Sequence, residues 1–426
     1  MTGRVASAAS SSVVDRRAWR SVVHINEKGG SFGGTEEYIT LLTSALAGRG
    51  VQSHLVCGLV AGDASQDLSS VHVVEGLRSR RPRPGTGDAV AAVVREIDPD
   101  VIYLHNVFDP AVVSSLAALE GRGALLWYVH DHYLTCLTEL RWRRDVGSCA
   151  QRLGRGCLTA IDEGHCVRRF PQRTLDLAEL EDRTTLAGSL CDVDAVVVVS
   201  GYMRSLLEEA EPRLGARLHL LRRPVRVRGS RRTRQRSRAS DPAVVLAAGR
   251  ITAEKGLSVL LEALGAVTTD RPVELRIAGI IEDDHFWSEC RRIGDEAMAV
   301  NARLSITYLG HLDYEAMDEQ LTGADIVVIP SQWPEPLGAV ALEAMAAGSA
   351  VVASRIGGLD TVLVDHHNGL LIEPGDVAAW TDAITSLLAH PERARRLRDQ
   401  AQRDMSSVEI EHHIDALDEI RQNASG

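Results

Sequence analysis

Two carboxylates stand eight positions apart in the otherwise apolar segment "PEPLGAVALEAMAAG" (334–348). Glu335 lies in a proline-flanked loop after the apolar run "DIVVIP", and Glu343 lies in an alanine-rich stretch that predicts a helix starting near Gly338. The neighbours of Glu343 are apolar, so its carboxylate should be half-buried and should need a charged or hydrogen-bonding partner. The two acids therefore indicate a site for a polar ligand.

The start of this predicted helix offers backbone donors. The amides of Gly338 and Ala339 would be unpaired at the positive end of the helix dipole, which suits a phosphate group, and Gly338 would let that group approach closely. Glu343 could accept two hydrogen bonds from a ribose diol, and Glu335 could accept bonds from a sugar attached to the phosphates. Alternatively, Glu335 is a solvated loop acid and Glu343 belongs to a structural ion pair.

A second loop combines glycines with two cations. The segment "VVLAAGRITAEKGL" predicts a buried strand, a loop that carries Arg250 and Lys255, and then a helix. Lys255 and Lys28 are the two lysines in a chain that has 47 Lys plus Arg. Two cations at the carboxyl end of a strand can neutralise a diphosphate. The loop is not a P-loop, because Glu254 and Gly256 replace residues that this motif requires. The alternative is a pair of surface cations.

The amino-terminal half offers further candidates. His130 follows the apolar run "ALLWYV" and so lies at the carboxyl end of a predicted strand, where parallel sheets bind ligands. A structural histidine is the alternative. The segments "DPD" (98–100) and "DVD" (192–194) mimic a metal-binding motif, but each directly precedes a buried strand and is predicted to form a strand-entry turn. The loop "GGSFGG" lacks G-x-G-x-x-G, so an NAD site is weakly supported. We predict no catalytic metal.

Four of the seven cysteines form a cluster in the sequence. Cys136, Cys149, Cys157 and Cys166 are spaced C-x12-C-x7-C-x8-C, and His165 adjoins the last of them. No C-x-x-C pair is present, so the match to a zinc ribbon is poor. We favour a set of reduced thiols in an irregular insertion, with a structural metal or disulfides as the alternatives.

The composition narrows the class of protein. The chain has 426 residues, enough for two or three domains, and its 45% apolar and 25% charged residues are ordinary for a soluble globular protein. A net charge of −11 argues against nucleic acid as a partner, and no apolar run reaches the ~18 residues of a membrane helix. Residues 1–17 lack the apolar core of a secretory signal, so we expect a disordered tail and a cytoplasmic protein.

Apolar, β-branched runs alternate with helical patterns along the chain, which predicts parallel sheets covered by helices on both faces. Two such sets predict two α/β domains, over 18–220 and 241–405. The connection between them, 221–240, holds nine arginines and reads as a solvated linker or, alternatively, as a site for an anionic surface or substrate. The closing segment, 406–426, is predicted to be a helix that could cross back to the first domain.

Several segments together resemble a known family. "GRITAEKG", "YLGHL", "ADIVVIPS", "EPLGAVALEAMAAGSAVVASRIGG" and "NGLLIEPGD" resemble, in order and spacing over roughly 244–388, the donor half of family 4 retaining glycosyltransferases of the GT-B fold. "GGSFGGTEEYITLLTSALAGRG", "DPDVIYLHN", "WYVHDHYLTC" and "VDAVVVVSGYM" resemble the other half more loosely. The resemblance implies an α/β protein with two facing Rossmann-like domains and an interdomain cleft.

The resemblance also implies roles for the donor-half residues. Arg250 and Lys255 would bind the diphosphate of a nucleotide sugar, Glu335 would contact the sugar near the reacting carbon, and Glu343 would hold the ribose. The chain departs from relatives at "AGIIEDDHFW", where a glycine-rich turn is usual, so base or ribose contacts there do not carry over.

In the amino-terminal half, the resemblance implies that Gly33 and Gly34 form a loop facing the diphosphate or the acceptor. His130 would lie near the donor sugar. The interdomain turn reads "LRRPVRV" where relatives carry a "PNGVD"-like segment, so acceptor contacts from that turn do not carry over.

The implied reaction is transfer of a hexose-type sugar from a nucleoside diphosphate to an acceptor, with retention of configuration, without metal and without a cofactor beyond the donor. A small soluble acceptor is favoured over a lipid or polymer. The alternatives are a sugar-nucleotide epimerase of the GT-B fold and an inactive sugar-nucleotide-binding protein.

Overall fold

The computed structural model describes five stretches of the chain, 19–30, 33–62, 65–170, 172–225 and 241–424. The predicted tail (1–17) and most of the arginine-rich connection (226–240) lie outside them. The described residues form two parallel-sheet α/β domains, as predicted. We call the domain on the seven-stranded sheet the front domain and the domain on the six-stranded sheet the back domain. No helix in the described stretches has the length and apolar character that crossing a bilayer requires.

The front domain is built on a sheet whose central strands are apolar along their whole length. Its strands are β1 (Ser21–Asn26), β2 (Gly29–Gly30), β3 (Gln52–Cys57), β4 (Val60–Ala61), β5 (Leu68–Val73), β6 (Val101–Leu104), β7 (Ala124–Val129), β8 (Trp142–Arg143), β9 (Gly147–Ser148), β10 (Ala195–Val198) and β11 (Leu218–Leu220). The main sheet has the order β11-β10-β7-β6-β1-β3-β5 with all neighbours parallel. Its central strands are buried on both faces, which explains why they lack a polar–apolar alternation.

Helices cover both faces of this sheet. They are α1 (Gly34–Gly48), α2 (Thr86–Ile97), α3 (Pro110–Ala117), α4 (Arg155–Asp162), α5 (Leu177–Gly188) and α6 (Gly201–Ala210). The caps of three of them follow from the sequence, because the side chains of Asp109, Asp176 and Ser200 accept the first free amides of α3, α5 and α6. The small pair β8–β9 and α4 form the insertion that carries the clustered cysteines.

The back domain repeats the pattern. Its strands are β12 (Ala243–Ala248), β13 (Val273–Ala278), β14 (Leu304–Gly310), β15 (Ile326–Ile329), β16 (Ala350–Ser354) and β17 (Leu370–Ile372), in the order β14-β13-β12-β15-β16-β17. Its helices are α7 (Leu257–Ala266), α8 (Asp284–Val300), α9 (Tyr314–Gly323), α10 (Ala339–Ala347), α11 (Leu359–Val362), α12 (Val377–Ala389) and α13 (Pro391–Asp404). The strand order reverses between β12 and β15, and this is the switch point at which open α/β sheets bind ligands.

The last helix, α14 (Ile410–Ala424), packs against α1, β7 and β10 of the front domain. Trp19 Nε1 donates to Asp418 Oδ1 at 2.6 Å, and the Tyr38 hydroxyl lies 2.8 Å from His413 Nε2. The chain therefore passes between the domains twice. The two passages run side by side, because the amide of Val225 donates to the carbonyl of Val408 at 3.3 Å.

Candidate functional site

The site begins where β12 and β15 end side by side. The loop after β12 carries Arg250 and Lys255, and the loop after β15 carries Glu335. Gly256 has φ 72°, and a Cβ there would stand 1.9 Å from the carbonyl oxygen of Pro330, so only glycine lets the two loops meet this closely. Both loops line one open cleft. The predicted residues on its wall are Arg250, Lys255, Glu335, Gly338 and Ala339.

Glu335 is a buried carboxylate whose two oxygens differ. Its Oε1 accepts from Lys255 Nζ at 2.6 Å, from the hydroxyl of Ser331 at 2.7 Å and from Trp333 Nε1 at 3.2 Å. Its Oε2 accepts from no described residue. Burial alone would raise the pKa of Glu335, but Lys255, Ser331 and Arg250 outweigh it and hold the pKa below the ordinary value. The site thus keeps an ionised carboxylate with one oxygen left for a ligand.

The two predicted cations are ion-paired rather than bare. Besides the Lys255–Glu335 pair, Arg250 donates to Glu282 at 2.6 Å and to Glu254 at 3.3 Å. Burial lowers the pKa of Arg250, but these two carboxylates more than compensate and raise it. A phosphate entering the cleft would compete with Glu282, which is exposed, while Glu254 stays buried beside the guanidinium.

The start of α10 has the predicted form. The helix begins at Ala339 after Gly338, whose φ is 83°, and neither amide donates to a described acceptor. The preceding loop is fixed from the front domain. His132 Nε2 lies 2.7 Å from the carbonyl oxygen of Pro334, and the hydroxyl of Ser200 donates to that of Pro336 at 2.5 Å. The backbone on both sides of Glu335 is therefore held by the opposite domain.

Glu343 meets a partner that the sequence did not reveal. It is half-buried, and burial raises its pKa to about 7, opposed by the charge of Arg223 and reinforced by Glu37. Arg223 is itself buried and donates to Glu37 Oε2 at 2.7 Å. The expectation of a solvated linker is therefore wrong for Arg223, because carboxylates from α1 and α10 meet around it. Arg222 is likewise engaged and donates to the carbonyl of Thr361 at 2.6 Å.

The front-domain candidates lie on the same junction. Gly33 is the residue before α1 and Gly34 is its first residue, and a Cβ at Gly34 would stand 3.0 Å from Arg223 Nη1. Their loop is fixed by Asn26, whose amide donates to Glu36 at 2.9 Å. The structure thus gathers the predicted residues into two groups, one around Lys255 and the other around Arg223.

His130 follows β7 directly and faces this second group. Its Nε2 lies 3.1 Å from His105 Nδ1. Burial, together with the positive charge of Arg223, lowers the pKa of His130 to about 3. His130 is therefore a neutral imidazole at physiological pH, suited to hydrogen bonding and not to carrying charge.

The two Asp-x-Asp segments are structural, as predicted. Asp100 accepts the amides of Arg20 and Ser21 at 2.7 and 3.1 Å and so fixes the start of β1. Asp194 accepts the amide of Leu125 at 2.8 Å and pairs with Arg122, which fixes the start of β7. Both carboxylates bind backbone amides at strand entries.

The clustered cysteines converge in space. Cys136, Cys149, Cys157 and Cys166 line one small cavity between the β8–β9 pair and α4. All four are free thiols, and burial, with the neighbouring thiols of Cys136 and Cys149, raises the pKa of Cys166 to about 11. Within the described stretches, no three His, Cys, Asp or Glu side chains are arranged to hold a metal ion. The four thiols therefore share one cavity, and their state as reduced thiols, rather than as ligands of a structural metal or as disulfides, stays a prediction.

Comparison with known proteins agrees with this fold. Residues 32–228 match the family model Glycosyltransferase Family 4, and residues 230–404 match the model Glycosyl transferases group 1. Sucrose-phosphate synthase from Thermosynechococcus elongatus superposes with a TM-score of 0.67 over 95% of this chain and 98% of its own, at 21% identity. That likeness shows the fold. The fold and cleft together define a GT-B protein, with two Rossmann-like domains facing one another.

The family follows from the two matched models. The chain belongs to the glycosyltransferases, with a Family 4 front half and a group 1 back half. It is 34% identical over 169 residues to glycogen synthase of Mycobacterium tuberculosis (strain ATCC 25618 / H37Rv), 39% of each chain. It is 32% identical over 224 residues to D-inositol 3-phosphate glycosyltransferase of Xylanimonas cellulosilytica, 51% of this chain and 48% of the relative. The matched region thus spans two fifths to half of these relatives' length.

Proposed function

We propose that the chain transfers a hexose-type sugar from a nucleoside diphosphate sugar to a small acceptor, with retention of anomeric configuration and without a metal ion. One observation carries the proposal. Lys255, the ionised Glu335 and the free amides of Gly338 and Ala339 line one cleft at the switch point of the back-domain sheet. This wall offers cations and backbone donors for a diphosphate beside an acceptor for sugar hydroxyls.

The diphosphate would lie against the start of α10. The helix amides and the charges of Lys255 and Arg250 stabilise the negative charge that grows on the leaving phosphate. Lys255 already holds Glu335 at 2.6 Å, so a phosphate bound to Lys255 would lie next to that carboxylate. This arrangement supplies the positive field that other transferases obtain from a divalent cation.

The two glutamates would contact different parts of the donor. Glu335 has a free Oε2 for hydroxyls of the sugar or for positive charge at the anomeric carbon. Glu343, about one and a half turns into α10, would accept the ribose hydroxyls. Glu335 is ionised, and Glu343, with a pKa of about 7, becomes a full carboxylate only in neutral to basic solution.

Retention follows from attack on the face that the leaving group occupies. The bond from the anomeric carbon to the phosphate oxygen breaks, and a bond to the acceptor oxygen forms on the same face. The acceptor proton passes to the departing phosphate, so no protein base is required. His130, being neutral, would contribute a hydrogen bond to the sugar.

A small hydroxyl compound is our proposed acceptor, and the cytoplasm our proposed compartment. The name D-inositol 3-phosphate glycosyltransferase, carried by one relative, indicates a small acceptor for that protein. The seven cysteines are all free thiols, as is usual in a reducing compartment.

The test is a donor screen followed by product analysis. Thermal shift with common nucleotide sugars should identify a donor, because a ligand at 100 times its Kd adds about 2.7 kcal/mol of stability. The chosen donor is then incubated with candidate acceptors, and proton NMR reads the anomeric configuration of the product. Release of nucleoside diphosphate with an acceptor-linked sugar supports transfer. An epimerised donor without diphosphate release, or binding without turnover, contradicts it.

A further inference from the structure

Three histidines form a diagonal line across three neighbouring strands of the front domain. The pairing of β1 with β6 sets His24 beside Tyr103, and the pairing of β6 with β7 sets Leu104 beside Trp127. His105 directly follows β6 and His130 directly follows β7, so each step along the line moves one strand across and closer to the carboxyl edge. The sheet register thus carries the line from the interior of the sheet to its carboxyl edge.

The three imidazoles are joined by two hydrogen bonds. His24 Nδ1 lies 3.1 Å from His105 Nε2, and His105 Nδ1 lies 3.1 Å from His130 Nε2. Successive ring centroids are 5.3 Å apart in both steps. His24 and His105 are fully buried, and His130 is half-buried beside Arg223.

All three rings are neutral at physiological pH. Burial, with a smaller contribution from His54, lowers the pKa of His24 to about 3, and burial also lowers that of His105 well below its ordinary value. A neutral imidazole has one N–H and one bare nitrogen. Both bonds can therefore form only if all three N–H groups point the same way along the line.

The inner end of the line selects the direction. His24 Nε2 is buried and has no hydrogen-bond partner among the described residues. If the N–H groups pointed inward, this atom would carry an N–H with nothing to bond. If they point outward, it is a bare nitrogen, and unpaired buried N–H groups are the rarer defect in proteins. The outward direction places the N–H of His130 on Nδ1, which bonds no described residue and is left for a ligand.

We propose that His24 and His105 are positioning residues that fix His130 as the Nδ1–H tautomer, so that His130 donates a hydrogen bond to a hydroxyl oxygen of the donor sugar. The sugar as the recipient rests on the proposed function, whereas the tautomer does not. A fixed neutral donor at the cleft selects a ligand atom that accepts, and adds no net charge to attract the phosphates.

Nitrogen NMR of the full chain labelled with ¹⁵N-histidine tests the tautomer directly. The molecule supplies both reference states. His132 Nε2 must donate to the carbonyl of Pro334, and His413 Nδ1 must donate to the carbonyl of Arg222 at 2.9 Å. The signals of His130, assigned by their loss in His130→Gln, should match the pattern of His413. A pattern like that of His132 would overturn the proposal.

Two substitutions of His105 separate positioning from a general structural role. His105→Leu removes the donor to His130 Nε2, whereas His105→Asn keeps an N–H at the position of Nδ1. We expect a mixed His130 tautomer in His105→Leu and the wild-type tautomer in His105→Asn. The signals of His132 should be unchanged in both, which shows that the fold is intact. An unchanged His130 tautomer in His105→Leu would overturn the proposal that His105 fixes this tautomer.

The kinetic measurement tests the sugar contact. In His105→Leu, kcat/KM for the nucleotide sugar should fall by roughly threefold to tenfold, the effect of one neutral hydrogen bond, while the Kd of the nucleoside diphosphate stays constant. His105→Asn should recover most of the loss. Equal weakening of nucleoside diphosphate binding would contradict a sugar-directed role. If the wild-type chain transfers no sugar, the proposed function fails, while the NMR patterns still decide the tautomer.

Discussion

The two domains achieve polarity in opposite ways where they meet. The back-domain wall of the cleft is charged, with Lys255 bonded to Glu335 and Arg250 bonded to Glu282. The front-domain histidines His105 and His130 are neutral, since burial lowers the pKa of both and the positive charge of Arg223 lowers that of His130 further. A buried group here keeps its charge only where an opposite charge touches it. The charged wall suits phosphates, and the neutral histidines suit hydroxyl groups.

The same contrast appears within the back-domain wall. Glu335 and Glu343 lie eight positions apart, yet the pKa of Glu335 is lowered and that of Glu343 is raised to about 7. Glu335 touches Lys255 directly, whereas Arg223 forms its hydrogen bond with Glu37 and acts on Glu343 only through its field. Direct contact with a cation therefore decides which acid is ionised.

Removal of Lys255 should have the largest effect, because it takes from the charged wall the cation that is bonded to Glu335. In Lys255→Ala we expect kcat/KM to fall about tenfold to a hundredfold, the usual range for one charge-assisted hydrogen bond. The matched control is Arg292→Ala, which removes an exposed cation of α8 outside the cleft. Unchanged kcat/KM in Lys255→Ala, with native circular dichroism, would contradict the diphosphate assignment.

Substitutions of the two glutamates should change different kinetic constants. Glu335→Gln should lower kcat by on the order of tenfold with a smaller change in KM, because its charge matters most when positive charge develops on the sugar. Glu343→Gln should mainly raise the KM of the donor, since it weakens a contact present before reaction. Calorimetry with the nucleoside diphosphate should show weaker binding to the Glu343 variant alone. Equal losses in both variants would mean that the acids do not contact opposite ends of the donor.

The pKa of Glu343 predicts a smaller, pH-dependent effect. Its folded pKa of about 7 lies above the ordinary value of 4.5, so the folded state binds its proton more tightly than the unfolded state. The resulting stability is complete below pH 4.5 and is lost as pH rises through 7. Glu343→Gln does not titrate, so its melting temperature relative to wild type should increase between pH 5 and pH 8. A constant difference across this range would contradict the raised pKa.

A chelator should have the smallest effect, namely none on activity. In the proposed mechanism, Lys255, Arg250 and the amides at the start of α10 supply the positive field that a divalent cation would otherwise provide. Activity is measured with and without EDTA, and circular dichroism of the same samples shows whether the cysteine-bearing insertion has kept its fold. Loss of activity that Mn²⁺ or Mg²⁺ restores, with the fold intact throughout, would refute metal independence.

Much of the fold could be predicted because local patterns determine it. The apolar runs of β7 and β12 form strands where the sequence predicts them, because a strand buried on both faces is apolar along its length and can be recognised from its own residues. Helix α8 is not among the predicted helices. Its start lies in the segment "AGIIEDDHFW", where relatives usually have a glycine-rich turn. Asp283 in fact caps it by accepting the amide of Phe286.

The site was predictable one loop at a time. The glycine and the acid at the start of α10 are local features, and so are the cations after β12. The Lys255–Glu335 bond joins residues eighty positions apart, and the Arg223–Glu37 bond joins residues further separated still. A run rich in arginine predicts solvent exposure on average. Which arginine becomes buried depends on carboxylates that only the folded chain brings together.

The return of α14 to the front domain has a consequence for inheritance. Because Trp19 bonds Asp418 and Tyr38 bonds His413, the front domain is encoded by two separate parts of the gene. Recombination with a relative at a crossover in the connection would replace the last helix together with the back domain. The last helix of the relative would then have to form hydrogen bonds with Tyr38 and with the carbonyl of Arg222. Selection on such chimeras therefore acts on the last helix as part of the front domain, and the back domain cannot be exchanged as one uninterrupted cassette.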